Sequence, residues 1–119
     1  MSEANVPPWL QQELERYDQL QQTLQALLVQ KQQVDLELTD IEKAIEELTK
    51  ESDDVQVYKI AGSIMIRTTK QELLKELGER KELANTRRTI LTKQEEKIRQ
   101  SLQEIQAKVN QAIKGPSTA

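Results

Sequence analysis

Two stretches of the chain repeat apolar residues every seven positions, and this repeat limits the possible folds more than any other feature. The first stretch contains two interleaved series, which are Leu10, Tyr17, Leu24, Lys31, Leu38, Ile45 and Leu20, Leu27, Val34, Ile41, Leu48. The second contains the series Leu77, Ala84, Leu91, Ile98, Ile105, Ala112, with the companions Leu74, Leu102 and Val109. Alternating spacings of three and four residues form the seam of a coiled coil. The sequence therefore predicts an all-α dominated fold with two long helices, residues 8–51 and 69–114, in a single unit spanning residues 1–119.

The seam has three irregularities. Near its start the companion residue is Leu14, four residues after Leu10, which predicts a drift of the apolar stripe by one position. Lys31 occupies a seam position, where its stem can pack while its ammonium reaches water. In the middle of the second stretch the companion positions are polar, and they are Lys81, Arg88 and Glu95. We therefore expect a weaker seam there.

Local signals mark where the helices begin and end. Pro7-Pro8 suits the start of the first helix, where the missing N–H costs nothing. Thr69 and Glu72 form a capping-box pattern, in which each side chain satisfies a free backbone N–H at the start of the second helix. After Lys114 the chain continues Gly-Pro, which predicts a helix stop and a disordered tail at residues 115–119.

The composition excludes several classes of function. The chain has 3% aromatic residues, no Cys and no His, which removes thiol catalysis, most zinc and iron sites and the commonest general base. No cofactor is expected. A net charge of −3 argues against a general attraction to nucleic acid. No apolar run approaches the roughly 18 residues of a membrane span, and no secretory signal is visible, so the expected location is cytoplasmic.

Residues 55–68 interrupt the helical pattern with β-branched residues. We expect strands at 55–60 and 63–68, joined by an Ala61-Gly62 turn in which glycine takes the positive φ of tight hairpins. Such a hairpin reverses the chain and lays the second helix antiparallel along the first. The two heptad series agree with this arrangement, because their phases pair Leu38 with Ala84.

Both faces of this hairpin are apolar. One face carries Val55, Val57, Ile64 and Ile66, and the other carries Tyr58, Ile60 and Met65. A lone two-stranded hairpin is marginally stable in water, and its edges offer free N–H and C=O groups to other strands. Either the hairpin folds back on its own helices, or hairpins from several chains pair into a shared sheet or barrel. The second interpretation makes the interruption an assembly device, and we favour it.

The single Trp lies in the first turn of the first helix, after Val6-Pro7-Pro8. The antiparallel register places Trp9 near Val109, Ala112 and Ile113, so the ends of the helices carry apolar groups where a coiled coil would ordinarily fray into charge. Two interpretations remain open. Trp9 staples the two helix ends together, or it belongs to an exposed apolar patch that grips partners.

Heptads flank the central hairpin, whose sequence is VYKIAGSIMI, on both sides. This order of helix, hairpin and helix resembles the prefoldin family, and specifically its β-type subunits. The resemblance covers nearly the whole chain, and the hairpin is its most specific part. Members of this family form hexamers of two α-type and four β-type subunits. Their hairpins build a double β-barrel body from which six antiparallel coiled coils project.

The resemblance implies an ATP-independent chaperone subunit. It implies that unfolded client proteins are held at the coiled-coil tips and passed to a group II chaperonin. It also implies two sets of site residues. The tip group that would bind clients is Val6, Trp9, Leu10, Val109, Ala112 and Ile113. The hairpin group that would mediate assembly is Val55, Val57, Tyr58, Ile60, Ile64, Met65 and Ile66.

Two other classes of function compete with this one. An enzyme is disfavoured, because the sequence has no glycine-rich phosphate loop and no nucleophile–base constellation. A plain coiled-coil tether or scaffold would share the heptads and use the hairpin as a rigid corner. Such a tether would need neither apolar residues on both hairpin faces nor a Trp at the tips.

Overall fold

The chain folds as two long helices separated by one β-hairpin, in a computed structural model that describes residues 6–114. The elements in chain order are helix α1 at Pro8–Thr49, strands β1 at Val57–Ala61 and β2 at Ile64–Thr68, and helix α2 at Lys70–Lys114. The predicted order of helix, hairpin and helix is confirmed. The tail predicted at residues 115–119 lies outside the described residues.

Helix α1 begins at Pro8 for the reason that the sequence suggests. The carbonyl of Pro7 accepts hydrogen bonds from the N–H groups of Leu10 and Gln11, at 3.1 and 3.2 Å. Pro8 itself has no N–H to satisfy, so its position in the first turn leaves no donor without a partner. The proline pair therefore fixes the start of the helix.

Helix α2 begins with one half of the predicted capping box. The hydroxyl of Thr69 accepts a hydrogen bond from the N–H of Glu72 at 3.1 Å. The Glu72 carboxylate accepts a hydrogen bond from the Thr68 hydroxyl at 3.2 Å, whereas a full capping box would place it on the N–H of Thr69. The last residue of β2 thus takes part in capping the helix that follows.

The hairpin turn lies one residue later than predicted. The strands pair antiparallel from Val57 with Thr68 to Ala61 with Ile64, which leaves Gly62 and Ser63 as the two turn residues. Gly62 has a φ of 62°, and no described non-glycine residue has a positive φ. A glycine with positive φ at the first of two turn positions is typical of a type II′ hairpin turn.

This correction leaves the two faces of the hairpin as predicted. The observed pairs are shifted by two residues from those that an Ala61-Gly62 turn would give. Side chains alternate between faces with a period of two, so a shift of two residues returns every side chain to the same face. A shift of one residue would instead have exchanged the faces.

By packing, the described part of the chain divides into two compact units, one containing residues 6–31 and 91–114 and the other containing residues 32–90. We call them the tip unit and the hairpin unit. Buried apolar residues in the tip unit are Leu24, Leu27, Leu102 and Ile105. Those in the hairpin unit are Val34, Leu38, Ile41, Leu48, Leu77 and Ala84. All ten occupy predicted seam positions, so the heptads correctly identify the core.

Ion pairs between the helices of the hairpin unit follow the antiparallel pairing that the heptads predict. Asp35 pairs with Arg88, Glu37 with Arg87 at 3.5 Å, and Glu42 with Lys81 at 3.7 Å. The members of each pair lie on α1 and α2, and as the residue number rises on one helix it falls on the other. Most of these side chains are well exposed, and exposed pairs contribute little to stability. Their main effect is to favour one register over its alternatives.

The predicted drift of the seam near Leu10 is wrong. Leu14 is 47% exposed, whereas Glu13 is partly buried and one of its carboxylate oxygens is fully buried without a hydrogen-bond partner. Glu13 lies seven residues before Leu20, so the companion series keeps its strict spacing. The geometry of the helix decides which residue faces α2, and it places a carboxylate in the seam and a leucine outside it.

Candidate functional site

Most of the hairpin group is exposed. Tyr58, Ile60, Ile64, Met65 and Ile66 have exposed fractions between 40% and 78%, the highest being that of Ile60. They lie on both faces of the two-stranded sheet, which contains only β1 and β2 among the described residues. Five large apolar side chains on ten strand residues form an apolar surface that the hairpin unit does not cover.

Two members of the hairpin group are partly buried, unlike the five exposed ones. Val55 and Val57 pack against a core cluster of Ile41, Leu48 and Leu77. The alternative in which the hairpin folds back on its own helices therefore holds for the end nearest α1, which packs into their core. The cluster also holds the base of the hairpin against both helices, so the exposed part projects from a fixed support.

A polar contact and a groove complete the junction between hairpin and helices. The ammonium of Lys59 pairs with the Glu76 carboxylate at 3.2 Å and ties β1 to α2. Tyr58 and Met65, from the opposite face of the sheet, line an open groove of about 450 Å³. The helix residues Leu48, Leu73 and Leu77 contribute apolar lining to the same groove. Some of the exposed apolar surface of the hairpin is therefore concave.

Lys70 is the one buried charged residue in the described chain, and sequence reasoning missed it. Its ammonium donates hydrogen bonds to the carbonyl of Glu51 at 2.8 Å and to that of Thr49 at 3.5 Å, and it pairs with the Asp53 carboxylate at 3.3 Å. Carbonyls at the end of a helix have no intrahelical partner, so Lys70 caps α1 from the first residue of α2. A cation in the first turn of a helix opposes the helix dipole, and this was the available signal.

The tip group shows two levels of exposure. Val6, Leu10, Val109 and Ala112 are partly buried, whereas Trp9 is 47% and Ile113 75% exposed. Trp9 and Ala112 line one open groove of about 470 Å³, together with Lys108 and Gln111. We call this the tip groove. Trp9 therefore lies beside α2, as the stapling interpretation expects, and still exposes about half of its surface.

Sequence reasoning missed the polar half of the tip groove. Lys108 and Gln111 were not selected, because the tip group was chosen for apolar character alone. The heptad positions contained the signal, since Lys108 directly precedes the seam residue Val109 and Gln111 directly precedes Ala112. Residues beside the seam border the groove between two helices of a coiled coil.

A second polar site lies inside the seam of the tip unit. The ammonium of Lys31 pairs with the Glu95 carboxylate at 2.8 Å, and Arg99 binds the other oxygen of the same carboxylate at 2.8 Å. The hydrogen bonds from Lys31 and then Arg99 lower the pKa of Glu95 below its ordinary value. The Lys31 ammonium, which the sequence predicts to reach water, thus forms a cross-helix ion pair between two seam positions, and its side chain keeps 20% of its surface exposed.

Residues 6–114 contain neither a cluster of metal ligands nor a membrane-spanning helix. No group of three or more His, Cys, Asp or Glu side chains is arranged to hold a metal ion. Within the same range, neither helix contains a segment of the length and hydropathy needed to cross a membrane.

Comparison with known proteins identifies the family of the chain. The family model described as "Prefoldin subunit" matches residues 11–115. The prefoldin subunit beta of Pyrococcus furiosus is 37% identical over 113 residues, covering 95% of this chain and 97% of the relative. That of Methanothrix thermoacetophila is 42% identical over 110 residues, covering 92% of each chain.

A solved structure agrees with the sequence relatives. The crystal structure of the prefoldin beta subunit from Thermococcus strain KS-1 matches with a TM-score of 0.88 and 38% sequence identity. The match covers 93% of this chain and 97% of that one. Helices, hairpin and their order are thus shared with a prefoldin β subunit, and the chain belongs to the prefoldin subunit family.

Proposed function

We propose that this chain is an ATP-independent holding chaperone subunit. It captures unfolded client proteins at the tip group, assembles through the hairpin group with α-type subunits and further copies of itself, and delivers clients to a group II chaperonin. Membership of the prefoldin family supports a chaperone-type role rather than an enzymatic one. The proposed complex contains two α-type and four β-type chains and acts in the cytoplasm.

The observation that carries the proposal is that each unit exposes one apolar surface. Buried seam residues account for the core, so neither surface is needed to fold the helices. On the hairpin, five exposed apolar side chains accompany two strand edges whose backbone groups can pair with another strand. Burying such a surface against other hairpins would remove apolar area from water and satisfy the edges together.

The tip group supports capture because its apolar surface is small and open. Trp9 offers a large aromatic face, and Ile113 is three-quarters exposed. One such patch binds an apolar segment weakly. Several tips on one assembled body would raise the effective concentration for each further contact, so that modest single affinities combine into firm holding.

Assembly is tested with two matched substitutions. Ile60 and Ile113 are exposed to nearly the same extent, 78% and 75%, but one lies in the hairpin group and the other in the tip group. The solution mass is measured by light scattering for the chain mixed with an α-type prefoldin subunit. We expect a six-chain complex for the wild type and for Ile113→Asp, and smaller species for Ile60→Asp. A complex that forms equally with both variants would contradict the hairpin as the assembly element.

Client holding is tested on the same three proteins. The assay follows light scattering from a chemically unfolded protein diluted into buffer without ATP. We expect the wild-type complex to suppress aggregation and Ile113→Asp to suppress it less while remaining assembled. Equal suppression by the two would show that the tip of this subunit does not hold clients.

A coiled-coil tether is the second candidate function. It shares the heptads, but it gives no reason for exposed apolar side chains on both hairpin faces. A tether would leave aggregation unchanged at every ratio of subunits. That result, together with a chain that stays monomeric or dimeric when mixed with the α-type subunit, would favour it.

A further inference from the structure

The tip groove combines an apolar wall with a single positive charge. Trp9 and Ala112 provide the apolar surface, and Lys108 and Gln111 provide the polar border. None of the four lining residues is acidic. Among residues 6–114, a ligand in this groove therefore meets an aromatic ring, an amide and an ammonium, and no carboxylate lines it.

Lys108 differs from the three cations at seam positions. Lys31, Lys81 and Arg88 each pair with a carboxylate on the other helix. Lys108 forms no ion pair with any carboxylate of residues 6–114, and Glu104, one turn earlier on the same face of α2, does not bridge to it. Within the described part of the chain, a ligand can therefore reach this charge without breaking an ion pair.

A second cation lies on the same side of the tip. Arg16 follows Trp9 by seven residues, which is two turns of α1, so both side chains leave the helix in the same direction. Arg16 is exposed and also makes no ion pair within the described part of the chain. The tip unit therefore has two exposed cations without an ion pair to residues 6–114, one lining the tip groove and the other two turns of α1 from Trp9.

We infer that the tip groove selects client segments in which a large apolar side chain lies next to a carboxylate. This inference rests on the proposed function and specifies which clients that function favours. The apolar side chain packs against Trp9 and Ala112, and the neighbouring Asp or Glu meets the Lys108 ammonium. Lys108 is thus a specificity-determining residue, whereas Trp9 supplies affinity for apolar segments in general.

The test measures peptide binding by fluorescence anisotropy. Three short labelled peptides share one Leu-Phe-Leu core and are flanked by two Asp, two Ser or two Lys residues. The full-length chain is used, alone and mixed with the α-type subunit. We expect the wild type to bind the Asp-flanked peptide about three- to fivefold more tightly than the Lys-flanked one, the range that one exposed charge pair supports. Raising the salt concentration should reduce this preference, because exposed charges are screened.

Two substitutions separate a local contact from the overall charge. Lys108→Glu should reverse the order of the two charged peptides and leave the Ser-flanked peptide nearly unchanged. Lys97→Glu changes the net charge by the same amount at an exposed site on α2 that does not line the tip groove, and should leave the wild-type order intact.

The outcomes distinguish the inference from the proposed function. If all three peptides bind equally to the wild type, or if Lys97→Glu and Lys108→Glu have the same effect, the inference is wrong and client holding stands. If none of the peptides binds and aggregation is not suppressed, the proposed capture at this tip fails, and the inference fails with it.

Discussion

The two units are built on the same heptad pattern but differ in how their helices are held together. In the hairpin unit, the polar seam residues Lys81 and Arg88 have 41% and 46% of their side chains exposed and pair with carboxylates of α1. The core cluster at the base of the hairpin is entirely apolar. In the tip unit, the seam contains the Lys31–Glu95 pair and the partly buried Glu13. The hairpin unit therefore keeps its polar seam side chains largely exposed, whereas the tip unit partly buries its own.

This difference corresponds to the two proposed roles. A hairpin that carries other subunits needs a rigid support, and packing of apolar side chains gives one. A tip that binds varied clients needs exposed apolar surface, and a polar seam costs stability while it specifies register. Substitutions that act on one unit at a time test this difference between the units.

The largest change in the free energy of unfolding is expected when one core leucine in each unit is replaced by alanine. Leu48 in the hairpin unit and Leu27 in the tip unit are equally buried, at 7% and 6% exposure. Leu48 belongs to the cluster with Ile41 and Leu77 and supports Val57, so Leu48→Ala should lower the free energy of unfolding by about 4 kcal/mol. Leu27→Ala should cost about 2 kcal/mol, because a two-helix seam can close over the missing volume. Urea unfolding followed by circular dichroism measures both.

The exposed Leu36 provides the control for these truncations. Leu36→Ala should change the free energy of unfolding by less than about 0.5 kcal/mol, since its side chain is 61% exposed. If Leu27→Ala proved as costly as Leu48→Ala, the two units would be equally well packed, and the comparison between them would lose its basis.

The next effect concerns the cap that joins the two helices of the hairpin unit. Lys70→Met keeps the length of the side chain but removes the donor to the carbonyls of Thr49 and Glu51. The expected loss is about 2 kcal/mol, in the range for hydrogen bonds from charged groups. Lys75→Met, at an exposed position on the same helix, is the control and should be nearly neutral. Equal stability of the two variants would show that water replaces the Lys70 ammonium at no cost.

The helices and their core were predictable from the sequence because helix geometry fixes which residues share a face. The spacing alone selected all ten buried apolar residues. Where residue type and spacing disagree, residue type gives the wrong answer. Leu14 is apolar and is therefore predicted to lie in the seam, but Glu13 occupies that position. The period of seven was the better guide.

Features that depend on three-dimensional proximity were harder to predict. The hairpin turn at Gly62-Ser63 and one at Ala61-Gly62 place the same residues on each face, so the pattern of apolar residues cannot separate them. Lys70 and Lys108 look alike in sequence as lysines on a polar helix. Only packing shows that one caps α1 and the other borders the tip groove.

A smaller change, in this case an increase in the free energy of unfolding, is expected from a substitution in the tip unit. Glu13→Leu replaces a carboxylate that has one buried oxygen without a partner by a side chain suited to the seam. The free energy of unfolding should rise by about 1 kcal/mol, because the penalty for burying an unpaired polar atom disappears. Glu15→Leu, two residues later at an exposed position, is the control and should not stabilise. A loss of stability in Glu13→Leu would show that the carboxylate has a favourable role in the seam.

The smallest effect is a dependence on pH that belongs to the tip unit. Lys31 and Arg99 lower the pKa of Glu95 from its ordinary value of 4.5, because their hydrogen bonds favour the charged carboxylate. A carboxylate whose pKa is lower in the folded chain stabilises the fold above pH 4.5, and this contribution is lost as the pH falls through the lowered value. Glu95→Gln should therefore unfold at a lower temperature than the wild type at pH 7, and the gap should close on acidification.

The exposed neighbour Glu96 separates this effect from a general loss of negative charge. Glu96→Gln removes the same charge at a site without an ion pair in the described chain, so its melting temperature should follow that of the wild type at every pH. Thermal unfolding between pH 7 and pH 3 measures all three proteins. If the gap between Glu95→Gln and the wild type stayed constant with pH, the polar pair in the seam would act through packing rather than charge. The contrast between the two units would then rest on Glu13 alone.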